Sequence, residues 1–339
     1  MANHRCHVVA TSPLPGDALE GLGKKVSLEV KRPEGAVSEA MLKEWFAEAD
    51  GALTLLSDPV TADVIRSCPH LRVIANYAVG YNNVDVEFAT DRDITVTHTP
   101  DVLTEATADL AWALILAAAR HVVEGDRLVR EGRFHGWAPD LLLGMDFKEK
   151  TIGIVGMGRI GRAVARRAAG FGMHTLYAQR HRLSASTEAA LNARRVTLDE
   201  LIQSADVVSL HCPLTEETRG LMDARRIAAM KPGAMLINTG RGPLVDEAAL
   251  VEALKEGRLS GAGLDVYEKE PEVHPGLIGL SNVVLLPHIG SSGRETREIM
   301  ARMAASDLLA VLEGKRPAHP VPEQAGDAPW SQAAKCHEC

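Results

Sequence analysis

Cysteine is scarce in this chain. Five cysteines in 339 residues stand at positions 6, 68, 212, 336 and 339, and their spacing excludes a disulfide-stapled fold. Cys336 and Cys339 form a C-x-x-C, but far from any βαβ pattern and without a second ligand pair, so that stretch reads as plain tail and no metal site is expected. Long hydrophobic runs are missing too. Pro13, Pro15, Gly16 and Asp17 interrupt the early segment that would form the apolar core of a signal peptide. The most apolar helix candidate, ADLAWALILAAAR at 108–120, is too short to span a bilayer. A reduced, cytoplasmic protein with no membrane partner is the expectation. Blocks of one charge are also absent. The formal net charge of -8 comes from a mixed surface, which argues against nucleic acid as a partner. An acidic small molecule stays open as substrate, because a small anion responds to the few groups in its pocket and not to the total.

What is present is alternation. The 46% hydrophobic content is ordinary for a folded chain, and the length suits two domains. In the N-terminal third, short β-branched runs (CHVVAT at 6–11, GALTLL at 51–56, LRVIANYA at 71–78, ITVTHTP at 94–100) alternate with helix-like stretches at 37–49, 61–69 and 84–93. Apolar strands alternating with helices predict a parallel sheet covered on both faces. A long helix is expected near 104–123, then a loop rich in Gly, Trp and Pro at 132–146 where the chain crosses between domains. From KTIGIVGMGRIG (150–161) the alternation resumes, through DVVSLH (206–211), AMLINT (234–239), SGAGLDV (260–266) and NVVLLPH (282–288). The fold class is therefore α/β, with two doubly wound parallel-sheet domains, the second larger and of Rossmann type. The stretch 294–314 has a helical period with Ile299, Met303, Leu308 and Val311 as an incomplete apolar stripe. The last residues, from about 321, have the composition of a loose tail.

Gly156, Gly158 and Gly161 stand in G-x-G-x-x-G spacing directly after the strand TIGIV, and they open a helix in which Ile160, Val164 and Ala168 recur every four residues. The three glycines then serve separate purposes, namely a tight turn, a close backbone approach to a pyrophosphate, and close helix–strand packing. The anion would rest on free N–H groups at the helix start. At the end of the next strand an NAD site normally carries a carboxylate for the ribose hydroxyls. Here the chain reads Gln179, Arg180, His181, Arg182. Nothing there repels a 2′-phosphate and two guanidinium groups could grip one, so NADPH is expected as the preferred cofactor, with NADH as the second. The alternative is that both arginines are solvated surface residues.

Three polar side chains follow apolar strands of the second domain: Arg241 after MLINTG, Glu270 after GLDVYEK and His288 after VVLLP. Ligands of open parallel sheets bind beyond the carboxyl ends of the strands. Hydride delivery to a ketone requires a proton for the oxygen, and an imidazolium suits that transfer near neutrality. A neighbouring carboxylate, Glu270, would favour the charged ring and fix which nitrogen points outward, while Arg241 holds the substrate carboxylate as a planar fork. The bland readings are a structural histidine, a solvated turn glutamate and an arginine paired with Asp246. His211, also at a strand end, is the rival proton donor.

With these residues in place, the chain resembles the D-isomer-specific 2-hydroxyacid dehydrogenases, and most closely their glyoxylate/hydroxypyruvate reductase branch. The resemblance runs over roughly 50–315 and is carried by NYAVGYNNVD, TPDVLTEATAD, KTIGIVGMGRIG, CPLTEETRGLM, MKPGAMLINTGRGPLVDEAAL, GAGLDVYEKEP and LPHIGSS. It implies reduction of a small 2-oxo acid, glyoxylate or hydroxypyruvate, by a homodimer. It also implies a discontinuous flavodoxin-like substrate domain of residues 1–101 with 290–325, around a coenzyme domain of 102–289, with 326–339 left as tail. Arg241 would bind substrate, Glu270 would partner the acid/base His288, and the backbone of Val79 and Gly80 would cradle the substrate carboxylate. Cofactor contacts are implied for Thr107, Arg159, Ile160, Pro213, Thr218, Thr239 and Asp265, and Trp137 matches a tryptophan that can reach the neighbouring subunit's pocket. Leu55, Leu56 and Trp137 are the candidates for shaping the substrate pocket. Two departures stand out: Asn82 where the family usually has aspartate, and AHPVPEQ in place of Val-Asn-Pro near the end. The competing readings are reduction of 2-ketogluconate or bulkier 2-oxo acids, phosphite oxidation, chemistry like that of S-adenosylhomocysteine hydrolase or alanine dehydrogenase, and a non-catalytic NAD(H) sensor of the same fold.

Overall fold

In the computed structural model, which describes residues 5–326, the chain forms two units: the first runs to Leu103 and resumes at Ser292, and the second is Thr104–Ser291. The expectation for the C-terminal tail, with Cys336 and Cys339, lies outside the described residues apart from its first few.

The first unit holds β1 (His7–Ala10), β2 (Ser27–Val30), β3 (Gly51–Thr54), β4 (Val73–Asn76) and β5 (Thr95–Thr97). They form one parallel sheet in the order β2-β1-β3-β4-β5, the flavodoxin-like arrangement. Every residue of β3 and β4 is buried, as strands covered on both faces require. The helix Arg294–Leu312 packs on β3 and β4. Its buried face is Met300, Ala301, Ala304, Ala305, Leu308 and Val311, whereas Ile299 is 41% exposed. The expected stripe is corrected here: a pattern read from large side chains alone overlooks alanines, which let the helix lie close to the sheet. The AHPVPEQ segment closes the unit beside β5. Pro320 bridges Thr97 in antiparallel fashion. Buried Gln324 accepts the Val96 N–H at 2.7 Å and donates to Thr90 Oγ1 and the Ile94 carbonyl, both at 2.9 Å.

The second unit is a parallel sheet of β6 (Thr151–Val155), β7 (His174–Ala178), β8 (Ala193–Arg195), β9 (Val207–Leu210), β10 (Met235–Asn238), β11 (Gly261–Leu264) and β12 (Val283–Leu285), in the order β12-β11-β10-β9-β6-β7-β8. Counted from β6, this is the Rossmann order with one added strand. The single helix expected over 104–123 is two. Thr104–Ala119 packs its apolar face, including Ala111, Trp112, Leu114 and Ile115, into the core and leaves Glu105 and Asp109 exposed, and its last carbonyl takes the Met145 N–H at 2.9 Å. His121 then adopts a left-handed conformation, φ 51°, and Val122–Arg130 leaves at a bend of 63°. Among the described residues no single helix is long and apolar enough to cross a membrane.

Candidate active site

The sheet of the second unit reverses its winding between β6 and β9, and the glycine turn sits at that point. Gly156 has φ 93°, and a Cβ there would lie 2.6 Å from the Cys212 nitrogen in the chain leaving β9. Only glycine satisfies both conditions. A Cβ on Gly161 would fall 2.2 Å from the Gly156 carbonyl oxygen, so the helix Arg159–Gly170 approaches its strand as closely as expected. Gly158 caps that helix, yet a Cβ on it would meet nothing within 4 Å. Its bareness serves no internal packing. It leaves the helix start uncovered, where a pyrophosphate finds N–H donors. Arg159 is exposed and Ile160 half-buried at the first helical positions.

Beyond β7, Gln179 accepts the Met157 N–H of the glycine turn at 3.0 Å and donates to the His181 carbonyl at 2.5 Å. Arg182 is drawn away from this edge by Glu188, with its Nε and Nη2 at 3.0 and 2.9 Å from that carboxylate, which also accepts the Tyr177 hydroxyl at 2.6 Å. Arg180 is 78% exposed and 3.8 Å from Glu217. Arg195, which the pattern reading did not single out, donates to the carbonyls of Gln179 and Arg180 at 3.0 and 2.9 Å and so fixes the turn.

Further along the edge, Thr107 donates to the Gly290 carbonyl at 3.2 Å. Thr218 donates to the Pro213 carbonyl at 2.7 Å and accepts the Thr215 N–H at 2.7 Å. Two buried oxygens, Thr239 Oγ1 and Asp265 Oδ2, have no hydrogen-bond partner among the described residues. Orphaned buried polar atoms cost about 1–3 kcal/mol each, and a bound dinucleotide with its amide and hydroxyls is the kind of group that would complete them. The residues present therefore fit a dinucleotide. Burial pushes the Asp265 carboxyl upward, against the Ile289 N–H that donates to its Oδ1 at 2.7 Å and the nearby His288.

The structure brings His288 and Glu270 together and sets Arg241 beside them. His288 lies three residues past β12 with φ 54°, a left-handed conformation uncommon for a residue with a side chain and concentrated at functional sites. Its Nδ1–H donates to Glu270 Oε2 at 2.8 Å, and Glu270 Oε1 accepts the Tyr267 N–H at 3.0 Å. Burial works to raise the Glu270 carboxyl, but the His288 hydrogen bond and charge, the Tyr267 N–H and the Arg241 guanidinium outweigh it, and the net displacement is downward. Glu270 is thus an ionised acceptor across the neutral range, and the imidazole Nε2 has no hydrogen-bond partner among the described residues. Arg241 donates to the Gly240 carbonyl at 2.7 Å and makes no ion pair within 4.0 Å among the described residues; burial lowers its guanidinium pKa, opposed by Glu270. Asp246 does not pair with it, being the N-cap of Glu247–Lys255, where it accepts the Ala249 N–H at 2.9 Å. Asn238 holds the turn, donating to the Arg241 carbonyl at 2.9 Å and accepting the Gly240 N–H at 3.0 Å. His211 is set apart from this group. Its Nε2 meets Ser209 Oγ at 2.8 Å and burial lowers its pKa to about 4, so it is a neutral ring.

In the first unit, Leu55 and Leu56 follow β3, and Val79 and Gly80 follow β4. The carbonyls of Val79 and Gly80 are committed, to His98 Nδ1 at 2.8 Å and Asn76 Nδ2 at 3.1 Å, while their N–H groups donate to nothing among the described residues. Asn82 is exposed, and the neighbouring Asn83 anchors the loop by donating to the carbonyls of Leu55 and Asp58, both at 3.0 Å. Leu55 lines a cavity of about 420 Å³ with Ser12, Arg32, Val37 and Asp58. Asp58 is wholly buried, and its Oδ2 accepts the Leu55 N–H at 2.7 Å. Trp137, in the loop of the second unit, is 84% exposed.

A glycine turn at the reversal of a Rossmann-ordered sheet places the chain among dinucleotide-binding oxidoreductases. The D-isomer specific 2-hydroxyacid dehydrogenase NAD binding domain matches residues 112–290. With similarity to relatives along nearly its whole length, the chain belongs to that family. Glyoxylate reductases of Pyrococcus furiosus and Korarchaeum cryptofilum are 47% and 48% identical to it, each over 91% of this chain and 93% and 94% of their own. A crystal structure of a Thermus thermophilus protein superposes with a TM-score of 0.87 at 50% identity, covering 93% of this chain and 99% of that one. The NADPH-dependent glyoxylate/hydroxypyruvate reductase of Sinorhizobium meliloti, solved with NADP and malonate, superposes at 0.84 with 34% identity over 94% and 97% of the two chains.

Proposed function

We propose that this protein reduces glyoxylate and hydroxypyruvate to the corresponding 2-hydroxy acids with NADPH as preferred reductant. Kinship to glyoxylate reductases supports 2-oxo acid reduction. The observation that carries the chemistry is the His288–Glu270 hydrogen bond of 2.8 Å beyond β12, which engages Nδ1 and leaves Nε2 without a partner among the described residues. When bound, the reduced nicotinamide supplies the hydride. Arg241 holds the substrate carboxylate and turns the carbonyl toward His288, whose Nε2–H gives its proton to the oxygen as the alcohol forms. Glu270 fixes the tautomer throughout and stabilises the charged ring. Within the first unit, Val79 and Gly80 keep unoccupied N–H groups behind β4, a pair of donors able to receive a small anion. NADPH preference is supported by the missing carboxylate at Gln179 and by the exposed Arg180, and the S. meliloti relative is described as NADPH-dependent. The protein works as a homodimer in the cytoplasm, and Trp137 with its neighbouring apolar side chains forms part of the contact.

Steady-state glyoxylate reduction by wild type, His288→Gln and Arg180→Ala, with each cofactor, tests this reading. His288→Gln is expected to lose at least about 100-fold in kcat. Arg180→Ala is expected to raise KM for NADPH by about 10-fold with KM for NADH unchanged. Equal turnover by wild type and His288→Gln would favour the sensor reading instead.

A further inference from the structure

Tyr267 stands three residues past β11 and supports each of the three polar side chains through a different part of itself. Its N–H donates to Glu270 Oε1 at 3.0 Å. Its hydroxyl donates to the Leu286 carbonyl at 2.8 Å, two residues before His288. Its own carbonyl lies so close to the turn behind Arg241 that a Cβ on Gly242 would fall 1.8 Å from the oxygen.

The ring that joins these contacts cannot shift easily. It is 6% exposed and packs in the cluster that includes Leu244, Leu264 and Leu277. The hydroxyl stays protonated, since burial and the surrounding carboxylates push it up to about 12. On the other side, buried Glu247 accepts the Glu268 N–H at 2.8 Å, so the turn from Tyr267 to Glu270 is held at both ends. The Leu286 N–H pairs with the Leu264 carbonyl at 2.9 Å, and Pro287, which follows, has no N–H. The Tyr267 hydroxyl therefore grips the chain between the end of the ladder and the histidine.

We propose that Tyr267 is a positioning residue that keeps Glu270 and the His288 strand end in mutual register, so that its hydroxyl matters to the chemical step and not only to the core. The inference rests on His288 and Glu270 acting as described above. The competing role is that of a buried aromatic filling space.

Tyr267→Phe separates the two, because it keeps the ring and removes one hydrogen bond. With glyoxylate and the better nicotinamide cofactor, kcat is expected to fall about 10-fold while the KM for that cofactor stays within about 2-fold. The primary isotope effect with cofactor deuterated at the transferred position is expected to rise, as chemistry becomes limiting. In the protein without cofactor, the Nδ1–H proton resonance of His288 is expected to broaden in Tyr267→Phe through faster exchange with water. A lower thermal midpoint with kcat, isotope effect and proton resonance at wild-type values would overturn the positioning role. Inactive His288→Gln beside fully active Tyr267→Phe would discard this inference alone, whereas active His288→Gln would discard the reading beneath it.

Discussion

His211 and His288 both stand just past a parallel strand, yet their surroundings divide their roles. His288 faces a carboxylate, whereas His211 meets a serine hydroxyl and is buried, and that burial lowers its pKa to about 4. That displacement has a sign that can be measured. A histidine held neutral in the native state and free to bind a proton when unfolded weakens the fold once the pH drops below the ordinary value near 6.5, until the native ring titrates as well. Between pH 7 and pH 5 this amounts to about 2 kcal/mol. Urea unfolding at the two pH values is expected to show wild type losing about that much more stability than His211→Gln. Equal losses would show that the ring is not kept neutral by its burial. Glu270 works the other way: its depressed carboxyl adds stability above the ordinary value near 4.5, lost as pH falls through the native value.

At the scale of elements, the glycines of the second unit fall into two kinds that substitution separates. Gly158 has open space where a Cβ would go, and Gly242 has the Tyr267 carbonyl there. Gly158→Ala is expected to fold with an unchanged thermal midpoint and to bind cofactor at least about 10-fold more weakly, read by calorimetric titration. Gly242→Ala is expected to lose several kcal/mol of stability, because backbone rather than a flexible side chain must move. A cofactor affinity untouched in Gly158→Ala would remove the helix start from the binding site. The same contrast explains what could be read in advance. Runs such as TIGIV and DVVSLH announce buried strands, and the glycine spacing and the polar residues behind three of those strands were legible from type and position. β2 and β8 were not, since edge strands such as SLEV and ARR are half exposed and carry no apolar run. The break at His121 escaped because it is a backbone event inside an apolar stretch. Tyr267 escaped because an aromatic at a strand end looks like core, and the reach of its hydroxyl to Leu286 depends on sheet register. The diversion of Arg182 to Glu188 escaped for a similar reason, the pair being brought together by a turn without periodicity.

For the whole molecule, most of the exposed large apolar side chains among the described residues gather in one stretch of chain, 122–143. Val122, Val129, Phe134, Trp137 and Leu143 are between half and mostly exposed, and the helix Val122–Arg130 buries none of its residues within the chain. A helix whose valines stay exposed among the described residues suits association with a second copy. Sedimentation at micromolar concentration is expected to give a dimer for wild type and a monomer for Val129→Glu with Leu143→Glu. A wild-type monomer would leave Trp137 without the role proposed for it. The path of the chain carries a further consequence for how the protein is made. The helix that closes the first unit, Arg294–Leu312, packs on β3 and β4 but follows the whole second unit in the chain. The second unit can complete its sheet during synthesis once β12 has emerged, whereas the first must wait, the face of β3 and β4 uncovered, for a helix that is translated after the second unit.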